Sequence, residues 1–125
     1  MHELKIAEEL IGIIIEVAES ENLKKVTKVN IQFGKMIQIV PDIFEFVFES
    51  AVKGTLAKNA KLKLEILPVV FVCNKCKEEA EIDDLFFVCP RCGSNDLELI
   101  QGRETIIESI EGEKNTNSQK LIAKA

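Results

Sequence analysis

The chain has 125 residues, of which 46% are hydrophobic, and its 16 basic and 21 acidic side chains give a net charge of −5. This length suits one domain, or one domain with a small insertion, and the apolar content is sufficient for a hydrophobic core. The longest apolar run, residues 10–15, is far shorter than the roughly 20 residues of a membrane-spanning helix. The acidic balance disfavours nucleic-acid binding, which depends on basic side chains that contact phosphates. We therefore expect no membrane and no nucleic-acid partner.

Residues 4–21 carry the pattern of an amphipathic helix. The apolar residues that recur at steps of three and four are Leu4, Ala7, Leu10, Ile11, Ile14, Val17 and Ala18. Ile13 and Ile15 widen this apolar face beyond what packing on one sheet requires. Two interpretations follow: a broad core helix, or a helix that presents part of its face to a partner.

Two alternating segments and a second helix come next. Residues 29–33 and residues 61–66 alternate apolar and polar side chains, which predicts strands with one buried face each. Between them, Pro41 is suited to the first position of a helix, where its missing N–H costs nothing. Gly54 is suited to the end of that helix.

All four cysteines fall into two C-x-x-C pairs, Cys73 with Cys76 and Cys89 with Cys92. Four thiolates spaced in this way can surround one Zn²⁺ tetrahedrally. The N-terminus does not have the basic-then-apolar order of a secretory signal, which favours a reducing cytosol where disulfides are uncommon. The proline and glycine of the second pair are also found in rubredoxin-type iron sites, although the first pair lacks the glycine. We therefore predict structural zinc at these cysteines, with four-thiolate iron and a disulfide framework as the alternatives.

The region around the cysteines is acidic and is followed by further strand character. Residues 71–98 contain three basic and seven acidic side chains, which disfavours a zinc ribbon that binds nucleic acid. Residues 97–111 are rich in Leu and Ile, with a bend or bulge expected at Gly102.

This order of elements predicts an α+β fold. Two helices pack on a three-stranded, mainly antiparallel sheet, and a zinc-ribbon-like module is inserted into it. In residue numbers, the core is 1–70 and 96–113, and the zinc module is 71–95. Residues 114–125 are polar and are expected to be a flexible tail.

The single histidine, His2, suggests a second metal site and argues against an enzyme. All four cysteines are assigned to the metal site. A catalytic nucleophile–histidine pair would have to use His2, the only histidine, which lies at the chain end. The Met1 amine, the His2 amide and the His2 imidazole Nδ1 can form adjacent five- and six-membered chelate rings. The Glu3 amide, a carboxylate or water can then complete a planar, nitrogen-rich set that suits Ni(II) and Cu(II). A histidine near a chain end is, however, commonly an incidental solvated residue, so spacing alone leaves both interpretations open.

Several segments together resemble one family. Met1-His2-Glu3 at the start of an amphipathic helix is similar to the start of the HypA/HybF family, the nickel metallochaperones of NiFe-hydrogenase maturation. Residues 40–49, both cysteine pairs and the closing residues 108–111 are similar as well. The likeness extends over residues 1–113, so the last twelve residues lie outside it.

The resemblance implies a function at the N-terminus. It implies that His2, with the backbone nitrogens of Met1 and Glu3 or the Glu3 side chain, holds Ni²⁺ as cargo. It implies structural Zn²⁺ at the four cysteines. The implied partners are the hydrogenase large subunit, which receives the nickel, and the nickel-dependent GTPase HypB, which docks near the N-terminal helix. We accordingly expect a cytoplasmic, non-enzymatic protein, a monomer or weak homodimer. The alternative function is a zinc-ribbon module that recruits protein or nucleic acid without transporting metal.

Overall fold

The computed structural model describes residues 2–82, 88–114 and 120–123. The chain divides into two compact units. The helical unit is Met1–Gln32, Ile39–Glu65 and Ile106–Ala125, and the cysteine unit is Phe33–Gln38 and Ile66–Thr105. The cysteine unit is therefore larger than the module 71–95 expected from the sequence, because it also takes in the neighbouring strands and the segment 33–38.

The described residues form two α-helices, one short 3₁₀ helix and seven strands. In chain order they are α1 (His2–Ser20), β1 (Leu23–Gly34), the 3₁₀ helix (Lys35–Ile37), α2 (Pro41–Ala51), β2 (Lys61–Leu67), β3 (Val70–Cys73), β4 (Glu79–Glu81), β5 (Leu97–Gln101), β6 (Thr105–Lys114) and β7 (Lys120–Ala123). The predicted α+β class with two helices is confirmed.

The helical unit has its core between the two helices and the sheet strands. Helix α1 buries residues at steps of three and four, namely Ala7, Leu10, Ile11, Ile14 and Ala18. It packs against α2, whose buried side chains are Phe44 and Phe48. Pro41 is at the start of α2, as predicted. Leu4 was expected in the buried stripe, but its side chain is 47% exposed.

The sheet of the helical unit has the strand order β2-β1-β6-β7. Thr27 Oγ1 donates a hydrogen bond to the backbone oxygen of Glu111, and Asn30 Nδ2 donates one to Ser109 Oγ. The partners on β6 move backwards along the chain as β1 advances, so these two strands run antiparallel.

The end of the chain differs from the sequence expectation in two ways. Residues 97–111 form two strands instead of one, because Gly102 interrupts them with φ +137°. Residues 120–123, expected in a flexible tail, form β7, which pairs antiparallel with β6 from Ile110 to Glu113. The remainder of that tail from residue 115 onwards lies outside the described residues. The sheet accordingly has a fourth strand in addition to the three predicted.

The cysteine unit has a sheet of its own, with the strand order β4-β3-β5 and antiparallel pairing throughout. A small apolar cluster lies on it, formed by the buried residues Val69, Phe71 and Ile82 and the partly buried Leu97 and Leu99. Strand β3 ends at Cys73, so the sheet places the first cysteine directly.

Candidate metal centre

The four predicted zinc ligands come together in the cysteine unit. Their sulfur atoms all lie within 4.8 Å of one another. Cys73 and Cys89 are buried, Cys76 is half-buried and Cys92 is exposed. The centre thus has one face towards the protein and one towards solvent.

Two equivalent turns position these sulfurs. In the first, the Lys77 N–H donates to the Cys73 oxygen over 2.8 Å, and in the second the Gly93 N–H donates to the Cys89 oxygen over 2.8 Å. The residue after each pair has a positive φ, +64° at Lys77 and +76° at Gly93. Each turn therefore folds both of its sulfurs towards the same point.

A second hydrogen bond closes each turn at the same relative position. The Cys73 N–H donates to the Glu78 oxygen over 2.9 Å, and the Cys89 N–H donates to the Ser94 oxygen over 2.7 Å. The sequence signalled this conformation at Gly93 but not at Lys77, because a lysine rarely takes a positive φ. The available signal for a positive φ at Lys77 was its position, because it directly follows the first C-x-x-C pair as Gly93 follows the second.

The spacing of the sulfurs fits one tetrahedral metal ion. Cys73 Sγ and Cys92 Sγ are 3.5 Å apart, and Cys76 Sγ and Cys89 Sγ are 3.6 Å apart. A tetrahedron with Zn–S bonds of about 2.3 Å has edges of about 3.8 Å, close to these values. A disulfide needs about 2.0 Å, so these four thiols are not bridged.

The surroundings lower the pKa of the first thiol of each pair, Cys73 and Cys89, and raise the pKa of the second, Cys76 and Cys92. The backbone N–H of Cys76 is the main cause that lowers the pKa of Cys73 to about 6 from its ordinary value of 9.0. A bond from the Glu78 backbone lowers the pKa of Cys76, but desolvation and the neighbouring thiols outweigh it and raise this pKa to about 11. Because a metal binds thiolates, metal binding here displaces protons and weakens as the pH falls.

Side chains around the turns connect the two cysteine pairs. Arg91, in the second pair, forms a 2.6 Å ion pair with Glu78, which follows the first. Asn74 Nδ2 donates to Asp96 Oδ1 over 3.0 Å, and the Asn74 N–H donates to the Asp96 oxygen over 2.9 Å. The ion pair is exposed, so it contributes little to the free energy of folding. The two hydrogen bonds of Asn74 fix the first turn to the segment before β5.

Two of the three predicted nickel residues, His2 and Glu3, begin α1. Met1 and the side chain of His2 are outside the described residues, while the His2 backbone is the first residue of the helix. The side chain of Glu3 is buried, with 8% exposure, and its Oε2 accepts a 3.3 Å hydrogen bond from the Val40 N–H. The structure therefore places Glu3 against the residue that precedes α2, a contact that the sequence did not predict.

An apolar groove runs along α1 and α2 within the helical unit. It has a volume of about 550 Å³ and is lined by Leu4, Glu8, Ile11, Gly12, Phe46, Val47, Ser50 and Ala51. Phe46, an aromatic side chain of α2 in the wall of this groove, is 72% exposed. In the part of the chain that the structure describes, no helix is long and apolar enough to cross a membrane.

Fold and centre together define a small α+β protein with a four-thiolate metal site. The family model described as "Hydrogenase/urease nickel incorporation, metallochaperone, hypA" matches residues 1–112. The chain therefore belongs to the HypA family of nickel incorporation metallochaperones.

Relatives of known name agree with this assignment. The "Hydrogenase maturation factor HypA" of Moorella thermoacetica is 34% identical over 113 residues, which cover 90% of this chain and 100% of that protein. The protein of the same name from Desulfatibacillum aliphaticivorans is 41% identical over 116 residues, covering 89% and 86%.

A solved structure has the same fold. The solution structure of the Ni metallochaperone HypA from Helicobacter pylori superposes with a TM-score of 0.66 at 26% identity, covering 90% of this chain and 97% of that one. The resemblance to the HypA family that the sequence suggested is thus confirmed.

Proposed function

We propose that this protein is a nickel carrier that binds Ni(II) at Met1, His2 and Glu3 and delivers it to the large subunit of a NiFe-hydrogenase. The observation that carries the proposal is the family match, which begins at residue 1 and so includes the Met1-His2-Glu3 sequence. The relatives named above are maturation factors. On this proposal the protein is not an enzyme. It acts in the cytoplasm, where it can meet hydrogenase precursors and where reducing conditions keep the four cysteines free of disulfides.

The start of α1 supplies suitable donors for such a cargo. The first N–H groups of a helix have no acceptor within the helix. Because α1 begins at His2, the amide nitrogens of His2 and Glu3 belong to this first turn. A metal can therefore bind these nitrogens without breaking a helical hydrogen bond. After losing its N–H proton, the His2 amide nitrogen would form a nearly planar set of three nitrogens with the Met1 amine and the His2 imidazole, which suits Ni(II), and the Glu3 amide nitrogen is adjacent to this set.

We assign the cysteine centre to structural Zn²⁺. The sulfur spacing and the set of four thiolates support this assignment, because structural zinc sites are four-coordinate and closed. When bound, zinc joins the turn after β3 to the turn before β5. The small apolar cluster of this unit gives it little stability of its own, so the metal is expected to carry most of its folding free energy.

The groove of the helical unit supports docking of a protein partner, for which we propose HypB. Its walls expose apolar surface, including Leu4 and Phe46. Helix α1 contains five acidic and one basic residue, and α2 contains three acidic and no basic residues. An apolar groove with acidic surroundings suits a partner surface that is apolar at its centre and basic at its rim. The proximity of the groove to the start of α1 would bring such a partner close to the cargo.

Nickel titration of the zinc-loaded protein tests the cargo site. The wild type is expected to bind one equivalent of Ni(II), and His2→Ala is expected to lose it. Zinc content and helical circular dichroism should stay unchanged in the variant. A second variant with two glycines added before Met1 blocks the amine and should also lose tight binding.

The same variants test delivery. In a hydrogenase maturation assay, the wild-type protein should load the large subunit with nickel, whereas His2→Ala should leave the large subunit without nickel. Unchanged nickel affinity in His2→Ala would contradict the assigned site. Nickel binding without any effect of His2→Ala on maturation would contradict the carrier function.

A further inference from the structure

The Glu3 carboxylate links the start of α1 to the start of α2. Its Oε2 lies 3.3 Å from the Val40 nitrogen, and the whole residue is 8% exposed. Both residues belong to the helical unit. A buried carboxylate is costly unless it is hydrogen-bonded, so this contact offsets part of the cost of burying Glu3.

Helix α2 has a local need for such an acceptor. Val40 is its N-cap residue and offers no side-chain hydrogen bond to the helix. Pro41, the first residue of α2, has no N–H. The N-terminal end of a helix carries partial positive charge, which a carboxylate stabilises. Glu3 therefore supplies from α1 an acceptor for the Val40 N–H and adds negative charge at the start of α2, beside that of Asp42 in the first turn.

We propose that Glu3 is a positioning residue for nickel, and that its carboxylate is not a nickel ligand. The proposal rests on the nickel function proposed above. A carboxylate that moved to the metal would give up both its bond to Val40 and its place at the positive end of α2. In its observed position it fixes the first turn of α1, which contains the His2 and Glu3 amide nitrogens. Fixed nitrogens lose less conformational entropy when they chelate a metal, so the contact raises nickel affinity indirectly.

Two substitutions separate a positioning carboxylate from a ligating one. Glu3→Ala removes the acceptor of the Val40 N–H, whereas Glu3→Gln keeps an acceptor oxygen and removes the charge. Glu9→Ala is the matched control, because it removes an exposed glutamate of the same helix. Zinc content and helical circular dichroism are measured on all variants to establish that they are folded.

The first measurement uses zinc-loaded protein without nickel. Amide hydrogen exchange at Val40, followed by NMR, should be fastest in Glu3→Ala, intermediate in Glu3→Gln and unchanged in Glu9→Ala. Unchanged exchange in Glu3→Ala would overturn the proposal. This measurement is independent of nickel, so it tests the Glu3–Val40 contact separately from the proposed nickel function.

The second measurement adds Ni(II). Glu3→Gln should keep the wild-type d–d absorption spectrum, with affinity reduced by about threefold or less, because an amide oxygen accepts a weaker hydrogen bond than a carboxylate. Glu3→Ala should bind about tenfold more weakly, as expected for losing one charge-assisted hydrogen bond. A changed spectrum in Glu3→Gln would identify the carboxylate as a ligand, and wild-type affinity in Glu3→Ala would exclude the positioning role. If the wild type and Glu9→Ala bind no nickel either, the proposed function fails, and the positioning role fails with it.

Discussion

Replacing Gly34 with alanine is expected to destabilise the cysteine unit strongly, because the backbone of Gly34 lies directly against that of Gly102. A Cβ atom at Gly34 would be 2.1 Å from the carbonyl carbon and oxygen of Gly102 and 2.5 Å from the Arg103 nitrogen. Ordinary van der Waals contact begins at 3.4 Å. The two backbone segments would therefore have to move apart by about 1.3 Å in a close-packed region.

The hydrogen bonds across this contact set the size of the effect. The Gly34 N–H donates to the Glu104 oxygen over 2.7 Å, and the Met36 N–H donates to the Gly102 oxygen over 2.9 Å. Loss of both bonds costs about 1–3 kcal/mol, and overpacking typically adds about 1–3 kcal/mol. We expect Gly34→Ala to lower the free energy of unfolding by about 2–6 kcal/mol, which is large for a single substitution.

Urea denaturation of the zinc-saturated protein measures this change, with Gly12→Ala as the control. Gly12 lies in α1, and a Cβ atom added there would meet no atom of another part of the chain within 4 Å. Alanine there should stabilise the helix by about 0.5–1 kcal/mol, because glycine has the higher backbone entropy in the unfolded chain. The two substitutions add the same methyl group and should have opposite signs. If Gly34→Ala unfolds within about 0.5 kcal/mol of the wild type, the close approach of the two segments is refuted.

Two further predictions concern the metal centre and the groove. Cys73→Ser should abolish binding of one zinc ion per chain and increase hydrogen exchange in β3. Helical circular dichroism should persist, because α1 and α2 have their own core. Metal analysis of the wild type also tests the identity of the metal, since a coloured protein that contains iron would refute zinc. Phe46→Ala should change the free energy of unfolding by less than about 0.5 kcal/mol, because the ring is 72% exposed, and should leave nickel and zinc binding unchanged. It should weaken the complex with HypB in a calorimetric titration, and equal affinity of wild type and variant would exclude the groove as the docking site.

The parts of the fold that the sequence predicted are those in which one local pattern determines the result. Helix α1 follows from apolar spacing, and the start of α2 follows from Pro41. The four-thiolate centre follows from two C-x-x-C pairs, because each pair is a local turn whose sulfurs share one side. No tertiary information was needed for these elements.

The parts that the sequence did not predict depend on contacts between distant residues. The strand character of residues 97–111 was visible, but the separation into β5 and β6 depends on Gly102 and on pairing of β5 with β3. Strand β7 depends on its pairing with β6. The neighbouring residues in the sequence are mostly polar and show no regular spacing of apolar side chains that would have predicted a strand. The burial of Glu3 could not be inferred either, because a glutamate in the first turn of a helix is usually solvated and its partner is 37 residues away.

The two proposed metals place opposite demands on the protein, and the two sites differ accordingly. A structural zinc must stay bound, and each cysteine pair lies in a turn closed by two backbone hydrogen bonds, so release would require several bonds to break together. A transported nickel must leave, and the proposed donors lie in the first turn of α1, whose amide groups are not needed by the helix. The helix is therefore equally well bonded with and without the cargo. On this argument, release of nickel needs no unfolding, and the Glu3–Val40 contact holds the first turn of α1 against the start of α2 before the next ion binds.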